Sequence, residues 1–220
     1  MKKIKFLLFI LIALFAFVLV GCGDEPEDPG TDPTDNPGET TLQRDVAVAD
    51  ANLECLLQEG KKLYVTSFGQ ASFSYMKTIV DDAIEGSEVD YSEDKALKAS
   101  DVEAGDVVIA VVGFTSKGLE QGVTQTTERE RAAAFGNRSD IILIICQLDG
   151  KERRGDSSDP IIEAAIKGAD LVLIYDSNNG SGADYDGKYS EVWVKDLSKL
   201  YLFSDEYDIT DYISVLAGAK

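Results

Sequence analysis

Five short apolar runs, each bounded by polar residues or glycine, limit the folds open to this chain more than any other feature. They are Leu63–Phe68, Val107–Val112, Ile141–Cys146, Leu171–Tyr175 and Leu200–Phe203. Strands that are buried on both faces are nearly continuous in apolar residues, whereas half-exposed strands alternate with polar ones. The runs therefore predict a mostly parallel sheet that is covered by helices.

Segments with helical features lie between these runs. Apolar residues recur at spacings of three and four along Phe73–Ile84, which is typical of a helix with one buried face. Thr127 with Glu130 fits a capping box, Asp159-Pro160 fits an N-cap followed by proline, and Asp208 precedes a last helix. Each of these signals predicts the start of a helix.

Strands that alternate with helices predict one α/β domain with a doubly wound, mostly parallel sheet of five or six strands and helices on both faces. A weak sixth strand is expected near Val89–Tyr91. The segment Tyr189–Leu197 has apolar residues at helical spacing, and it lies where two parallel strands need a crossover. We interpret it as a helix.

The N-terminus has the pattern of an export signal. Three lysines in the first five residues precede the fifteen-residue apolar run Phe6–Val20, and Leu19, Val20 and Gly21 lead into Cys22. A membrane-spanning helix needs about 20 apolar residues, so the run favours a signal peptide over residues 1–21. The four residues resemble a lipobox, which implies cleavage before Cys22 and lipid attachment to its thiol. A short uncleaved membrane anchor is the alternative.

Residues 22–43 form a tether rather than part of the domain predicted at 44–220. From Gly23 to Thr41 the chain has only polar residues, proline and glycine, which cannot bury enough surface to offset the entropy lost on ordering. We expect a disordered acidic tether that joins the lipid on Cys22 to the domain. This would hold the domain at the membrane on its extracellular or periplasmic side.

Charge and residue usage exclude several classes of function. Removing residues 1–21 takes away three lysines and changes the formal net charge from −19 to −22, and seven of the negative charges belong to the tether. The remaining 33 acidic and 18 basic residues give the rest of the chain a charge of −15, which disfavours binding to nucleic acid. The chain has no histidine, which excludes histidine-dependent triads and imidazole metal sites.

Two cysteines other than Cys22 lie among apolar residues. Cys146 closes a predicted strand and Cys55 lies within a leucine-rich segment, so we interpret both as buried thiols. A disulfide between them is the alternative in an oxidising compartment.

The candidate site follows from the predicted sheet. In an open parallel sheet the loops at the carboxyl ends of the strands meet along one edge, and ligands bind there where the strand order reverses. The loops expected at this edge are residues 67–70, 113–118, 147–159, 176–182 and 204–206.

The loop Gln147–Asp159 is long for a strand-to-helix connection. It contains Lys151, Arg153 and Arg154, which together with Lys117 place four cations on one edge of an acidic domain. These groups and the following helix N-terminus would favour a carboxylate or phosphate ligand. The alternative is that acidic residues of the same loop neutralise the arginines in a structural network.

Two further loops fit known ligand patterns poorly. The segment that contains Gly113 and Ser116-Lys117-Gly118 matches neither of the glycine-rich nucleotide motifs, so nucleotide binding is unsupported. Oxygen-bearing residues cluster between Asp176 and Gly187 without the spacing of an EF-hand, and a solvated loop is favoured over a calcium site. The sequence therefore predicts no metal and no cofactor.

Short motifs in these loops carry a resemblance. They are Val65-Thr66-Ser67 with Gly69-Gln70, Gly113 with Ser116-Lys117-Gly118, and Arg153-Arg154-Gly155 with Ser158-Asp159. Together they resemble a family of exported bacterial proteins classed as a domain of unknown function, from about Leu53 to the C-terminus. The resemblance implies a signal-bearing lipoprotein with a flavodoxin-like or Rossmann-like fold, and no established activity.

The resemblance also implies a ligand site at the edge loops. Its residues in this chain are Ser67, Gln70, Ser116, Lys117, Arg153, Arg154, Ser158 and Asp159. One feature departs from the family pattern, which has a serine and acidic residues after Gly-Gln. This chain has Ala71, Phe73 and Tyr75 there, so no acidic role carries over to that helical turn.

Three functions are compatible with these features. The first is a binding module for a small anionic or polar ligand, serving a transporter or a sensor. The second is a hydrolase-type enzyme with Ser67 or Ser116 as nucleophile and Lys117 as base, or with Asp156 and Asp159 around a metal. The third is an envelope interaction or structural protein that uses aromatic residues around Trp193.

Overall fold

The structure, a computed structural model, describes residues 43–116, 122–175, 194 and 196–220. These residues form seven strands and four helices. The strands are β1 (Gln43–Arg44), β2 (Leu63–Phe68), β3 (Tyr91–Glu93), β4 (Val107–Val112), β5 (Ile142–Gln147), β6 (Leu171–Tyr175) and β7 (Leu200–Phe203). The helices are α1 (Phe73–Ile84), α2 (Gln125–Gly136), α3 (Asp159–Ile166) and α4 (Glu206–Ala217).

All seven strands pair in parallel in one open sheet of order β1-β7-β6-β5-β4-β2-β3. Strand β2 lies between β3 and β4, so the chain moves away from β2 in opposite directions in the two parts of the sheet. This is the doubly wound arrangement of flavodoxin-like and Rossmann-like folds. The predicted fold class is confirmed, with seven strands where five or six were predicted.

Most strand boundaries agree with the apolar runs. Four of the five runs coincide with β2, β4, β6 and β7, and β5 begins and ends one residue later than predicted. The weak strand predicted near Val89–Tyr91 appears as β3, two residues further on, and pairs with β2. Strand β1 was not predicted, because two polar residues that pair with β7 leave no apolar pattern.

The core has two layers, one on each face of the sheet. Helices α1 and α4 pack on one face against side chains such as Val65 and Leu173. Helices α2 and α3 pack on the other face against Phe68 and Ile145. Because consecutive strand residues point to opposite faces, the central strands are buried at nearly every position, which explains their nearly continuous apolar runs.

Two predicted helix starts are wrong. Helix α2 is capped by Thr124, whose side chain accepts from the Thr127 N–H at 3.1 Å while the Thr127 hydroxyl accepts from the Thr124 N–H at 2.9 Å. The capping box therefore lies three residues before the predicted pair of Thr127 and Glu130. Helix α4 begins at Glu206 after the cap Asp205, so Asp208 lies inside its first turn.

The start of α3 differs from the prediction by one residue. Ser158 occupies the N-cap position, Asp159 is the first helical residue and Pro160 the second. Ser158 makes no capping hydrogen bond with its side chain, because its hydroxyl is engaged by a neighbouring loop.

Both cysteines beyond Cys22 are free thiols. Cys146 is buried as predicted, and burial raises the pKa of its thiol to about 12. Cys55 is exposed, so its interpretation as a buried thiol is wrong. Its leucine neighbours lie in an irregular segment that packs on the domain surface, where their side chains are only partly covered.

Several predictions concern residues outside the described part of the chain. They are the signal peptide, Cys22 and its tether up to residue 42, Lys117, the side chain of Lys151, the oxygen-rich loop Asp176–Gly187, Trp193 and most of the helix predicted over Tyr189–Leu197. Of that predicted helix, Val194, Asp196 and Leu197 are described; Val194 and Asp196 lie outside any helix, and Leu197 begins a short 3-10 turn. None of the helices in the described residues is both long and apolar enough to cross a bilayer.

Candidate functional site

The carboxyl ends of β2, β4 and β5 lie side by side. Phe68 pairs with Val112, and Val111 pairs with Cys146. The loops that follow these strands, residues 69–72, 113–116 and 148–158, therefore meet along one edge, which we call the carboxyl edge. The strand order reverses at β2, so this edge contains the crevice where doubly wound proteins bind ligands.

The first two loops approach each other through their backbones. The Gly113 carbonyl accepts from the Ala71 N–H at 3.1 Å, and the Gly69 carbonyl accepts from the Thr115 N–H at 3.0 Å. A Cβ on Gly69 would lie 2.7 Å from the Gly113 carbonyl carbon and 2.9 Å from the Phe114 Cα. Gly69 also has a φ of +95°, so glycine is needed here for two independent reasons.

Gln70 follows β2 at the crevice and has an unusual backbone conformation. Its φ is +65°, and it forms an isolated antiparallel bridge with Phe114. The residue is only 7% exposed, and its side-chain Oε1 is buried without a hydrogen-bond donor. A strained residue with an unpaired polar atom is costly for stability, which is typical of functional positions.

Ser158 connects the third loop to the second. It is buried, and its hydroxyl accepts from the Phe114 N–H at 2.9 Å. Arg153 also contacts this loop, since its Cβ lies 3.2 Å from the position that a Gly113 Cβ would take. The structure thus brings Gln70, Arg153 and Ser158 into one cluster of loops.

The two arginines of the third loop differ in their surroundings. Arg154 pairs with Asp159 through Nε to Oδ1 at 2.8 Å and Nη2 to Oδ2 at 3.4 Å, and Asp159 also accepts from the Gly155 N–H. The Arg153 Nε lies 3.9 Å from the Asp149 Oδ2, too far for a hydrogen bond. The charge of Arg154 is thus locally neutralised, as the structural alternative predicted.

The serines considered as nucleophiles lie in different environments. Ser67 is fully buried within β2, and its hydroxyl has no hydrogen-bond partner. Ser116 is exposed at the end of the second loop, and Lys117 lies outside the described residues. Within the described residues no group of three or more acidic or cysteine side chains is placed to hold a metal ion.

A buried ion pair between Glu128 and Arg131, which the sequence analysis did not predict, stabilises the end of β2 and the loop that follows it. The Glu128 Oε2 accepts from the Gly69 N–H and from the Arg131 Nη2, both at 2.6 Å. Arg131 also donates to the carbonyls of Ser67 and Leu97, and its guanidinium lies 5.1 Å from the centre of the Phe68 ring. The pair locks the end of β2 and its loop onto α2.

Five side-chain atoms at the carboxyl edge are buried without hydrogen-bond partners. They are Ser67 Oγ, Gln70 Oε1, Gln147 Oε1, Asp149 Oδ2 and Arg153 Nε. The amide nitrogen of Gln147 is satisfied, because it donates to the Gly150 carbonyl at 2.6 Å. Asp149 Oδ2 and Arg153 Nε face each other at 3.9 Å in an ion pair, and the side chains of Ser67 and Gln147 project from opposite faces of the sheet, so the five atoms do not form one cluster.

The amino edge of the sheet has concave surfaces of its own. An open groove of about 620 Å³ lies beside the starts of β2 and β3, and its lining includes Cys55, Gln58 and Tyr91. A smaller hollow of about 280 Å³ lies near Arg138 and Lys199. In the part of the chain that the structure describes, none of the side-chain atoms that are buried without partners belongs to a residue lining either surface. We therefore place the candidate site at the carboxyl edge.

Comparison with known proteins identifies one relationship. The model of a family described as a domain of unknown function (DUF6305) matches residues 60–212. No curated protein and no solved structure matches the chain. The matched region contains the three loops of the carboxyl edge and the ion pair beneath them.

Proposed function

Since the chain belongs to this family of domains of unknown function, which assigns no activity, we propose a function from the geometry of the carboxyl edge. The protein is an extracytoplasmic binding module that holds a small polar ligand between the loops after β2, β4 and β5. A lipid on Cys22 and the tether that follows keep the module at the membrane, where it serves a transporter or a sensor.

The buried side-chain oxygen of Gln70, beside the reversal of strand order, carries the proposal. A buried polar atom without a hydrogen bond costs about 1–3 kcal/mol, and native proteins contain few of them. Gln70 adds a positive φ to this cost, so the residue lowers the stability of the folded state in two ways. A ligand that donates a hydrogen bond to this oxygen would offset the cost, and the reversal of strand order lies beside it.

Rigidity of the crevice also supports a binding role. The Glu128–Arg131 pair, the Phe114–Ser158 hydrogen bond and the backbone contact at Gly69 fix the three loops relative to one another. A site that is held in place before the ligand arrives loses less entropy on binding. The hydrolase alternative finds less support, because Ser67 is shielded from solvent and has no hydrogen-bonded base.

Binding at the carboxyl edge can be tested with a matched pair of variants. Arg153→Met removes a guanidinium whose Nε is buried at the site, and Arg129→Met removes an exposed one from α2. We expect equilibrium dialysis against sugars, amino acids, polyamines, carboxylates and phosphates to find a ligand whose affinity falls about tenfold or more in Arg153→Met alone. Equal effects of both variants, or no saturable ligand, would contradict the proposal.

Attachment to the membrane is tested separately. Cys22→Ala removes the thiol that would accept the lipid, and Cys55→Ala is the control, because it removes a thiol from the domain surface. We expect Cys22→Ala to abolish labelling by a radioactive fatty acid, whereas Cys55→Ala keeps it. Unchanged labelling of Cys22→Ala would show that the N-terminal segment anchors the protein in another way.

A further inference from the structure

We infer that the ligand is a small zwitterion of the α-amino acid class, whose carboxylate binds the N-terminus of α1 beside Gln70. This inference rests on the proposed function and names the ligand of the same site. Two observations carry it, and both concern the loop after β2 and the helix that follows. The first is a helix N-terminus with unpartnered N–H donors, and the second is the buried oxygen of Gln70.

The N-terminus of α1 offers backbone donors that no side chain engages. Ser72 occupies the N-cap position with a φ of +52°, its side chain makes no capping hydrogen bond, and the first turn contains no acidic residue. The N–H groups of Phe73, Ser74 and Tyr75 therefore have no partner within the described residues, as is usual for a first turn without a cap. A carboxylate accepts from such groups and is stabilised by the positive end of the helix dipole.

The other helices of the described residues do not share this feature. The side chains of Thr124 and Asp205 cap α2 and α4, and Asp159 places a carboxylate in the first turn of α3. Those N-termini are thus already supplied with acceptors or with negative charge. The uncapped N-terminus of α1 follows β2, where the strand order reverses and where a ligand is expected in a doubly wound fold.

The buried amide oxygen of Gln70 needs a donor close to the same helix end. The residue is 7% exposed, its Oε1 has no partner, and only Ala71 separates it from the N-cap Ser72. The N–H groups of a first helical turn point back along the helix axis, towards the residues that precede the helix. A ligand at this end of α1 must therefore accept from the N–H groups and donate to the Gln70 oxygen.

A ligand reaches this site while the loops of the carboxyl edge stay fixed. Ser74 is exposed and Ser72 and Phe73 are partly exposed, so solvent reaches the first turn of α1. In the described part of the chain no partner holds the side-chain amide of Gln70, and of its two polar atoms only the oxygen is fully buried. Rotation about the last side-chain torsion exchanges the positions of the oxygen and the nitrogen, and this motion turns the oxygen outwards without moving the backbone.

Charges near this helix end favour a zwitterion over a simple anion. The hydroxyl of Tyr75 donates to the carboxylate of Glu206, which lies beside the first turn of α1, and the domain carries a formal charge of −15. These negative charges oppose the approach of an anion. An amino acid with an uncharged side chain has no net charge, and its carboxylate and ammonium supply the acceptor and the donor that the site requires.

Other small polar molecules match the site less well. A polyamine has no acceptor for the N–H groups of the helix. A sugar can donate and accept, but it has no negative charge to interact with the helix dipole.

Isothermal titration calorimetry of the full-length chain in detergent tests the ligand class. The probes are L-leucine, L-glutamine and L-serine, with D-glucose, citrate and spermidine for the competing classes. We expect saturable binding of at least one amino acid. Its amide, which lacks the carboxylate, and the matching acid without the amino group should each bind about tenfold or more weakly, because each loses one of the two interactions.

Two variants connect that binding to the two observations. Gln70→Met removes the buried oxygen and keeps the length of the side chain. Ser72→Asp places a carboxylate at the N-cap, where it accepts from the same N–H groups and repels the carboxylate of the ligand, and aspartate tolerates a positive φ. We expect each variant to weaken binding about tenfold or more without lowering the urea midpoint, since neither removes a hydrogen bond of the ligand-free protein.

Matched controls make the same changes at the amino edge. Gln58→Met and Ser92→Asp alter residues that line the open groove there, and both should bind the amino acid as the unmodified chain does. If either control weakened binding while Gln70→Met and Ser72→Asp left it unchanged, the site would lie at the amino edge and both proposals would be overturned.

The remaining outcomes separate this inference from the proposed function. Binding confined to D-glucose, citrate or spermidine, and weakened by Gln70→Met, would overturn the amino acid class while retaining a site at the carboxyl edge. Amino acid binding that Gln70→Met weakens and Ser72→Asp does not would overturn the position inferred for the carboxylate. Absence of saturable binding by every probe would overturn the amino acid inference, and the wider dialysis panel would then decide the proposed function.

Discussion

Gly69 is the residue at which the crevice between β2 and β4 leaves no room for a side chain. We expect Gly69→Ala to lower the free energy of unfolding by about 3 kcal/mol or more, because the new Cβ would meet the backbone of Gly113 and Phe114 at a positive φ. Gly60→Ala is the control, since Gly60 has a φ of +77° but open space around it. Gly60→Ala should lower the free energy of unfolding by about 1 kcal/mol. Urea unfolding curves measure both, and equal losses would show that the contact at Gly69 is unimportant.

At the same scale, the sequence indicated part of the candidate site. The predicted parallel sheet placed the loops of Gln70, Arg153 and Ser158 on one edge, the family resemblance singled out these residues, and the structure brings their loops together. Whether they bind a ligand stays a prediction. Glu128 was missed because its helix is strongly polar, and only tertiary contacts show that this carboxylate is buried. Glu128 precedes Ala132 by four residues and Phe135 by seven, and this helical spacing places the three on one face. The spacing was the sequence signal that could have indicated burial of Glu128.

Helix α2 depends on the ion pair that joins it to the end of β2. We expect Glu128→Gln to lower the free energy of unfolding by about 3 kcal/mol, because the largely buried Arg131 would lose its counter-charge. Glutamine still offers an acceptor to the Gly69 N–H, so the loss reports mainly on the ion pair. Glu163→Gln breaks an exposed pair with Lys167 on α3 and should cost about 0.5 kcal/mol or less. Similar urea midpoints for both variants would mean that the buried pair contributes little.

The elements that the sequence predicted best are those buried on both faces. Strands β2, β4, β6 and β7 carry an apolar residue at nearly every position, so their ends are marked by the first polar or glycine neighbour. The edge strands β1 and β3 are short and polar, and backbone hydrogen bonds to their neighbours define them. Sequence patterns report side-chain burial, and edge strands have little of it.

At the scale of the whole molecule, the fold extends beyond the region that matches the family. The match begins at residue 60, whereas residues 43–59 supply β1 and a segment that packs over α4 and β7. The hydroxyl of Tyr212 donates to the Val46 carbonyl at 2.8 Å, the Leu56 N–H donates to the Leu216 carbonyl at 2.8 Å, and Asp45 accepts from Ser204. Apolar side chains of this segment cover the outer layer of the core.

We therefore expect a chain that begins at residue 60 to be much less stable than one that begins at residue 43. Loss of residues 43–59 would uncover apolar surface on α4 and β7 and remove the acceptor of the Tyr212 hydroxyl. Together these changes should lower the free energy of unfolding by about 4 kcal/mol or more. That is a large part of the stability of a domain of this size. Urea midpoints and binding of a hydrophobic dye compare the two chains, with the full-length protein as the reference. If both shortened chains unfolded at the same urea concentration, residues 43–59 would be an appendage, and the matched region alone would form the complete core.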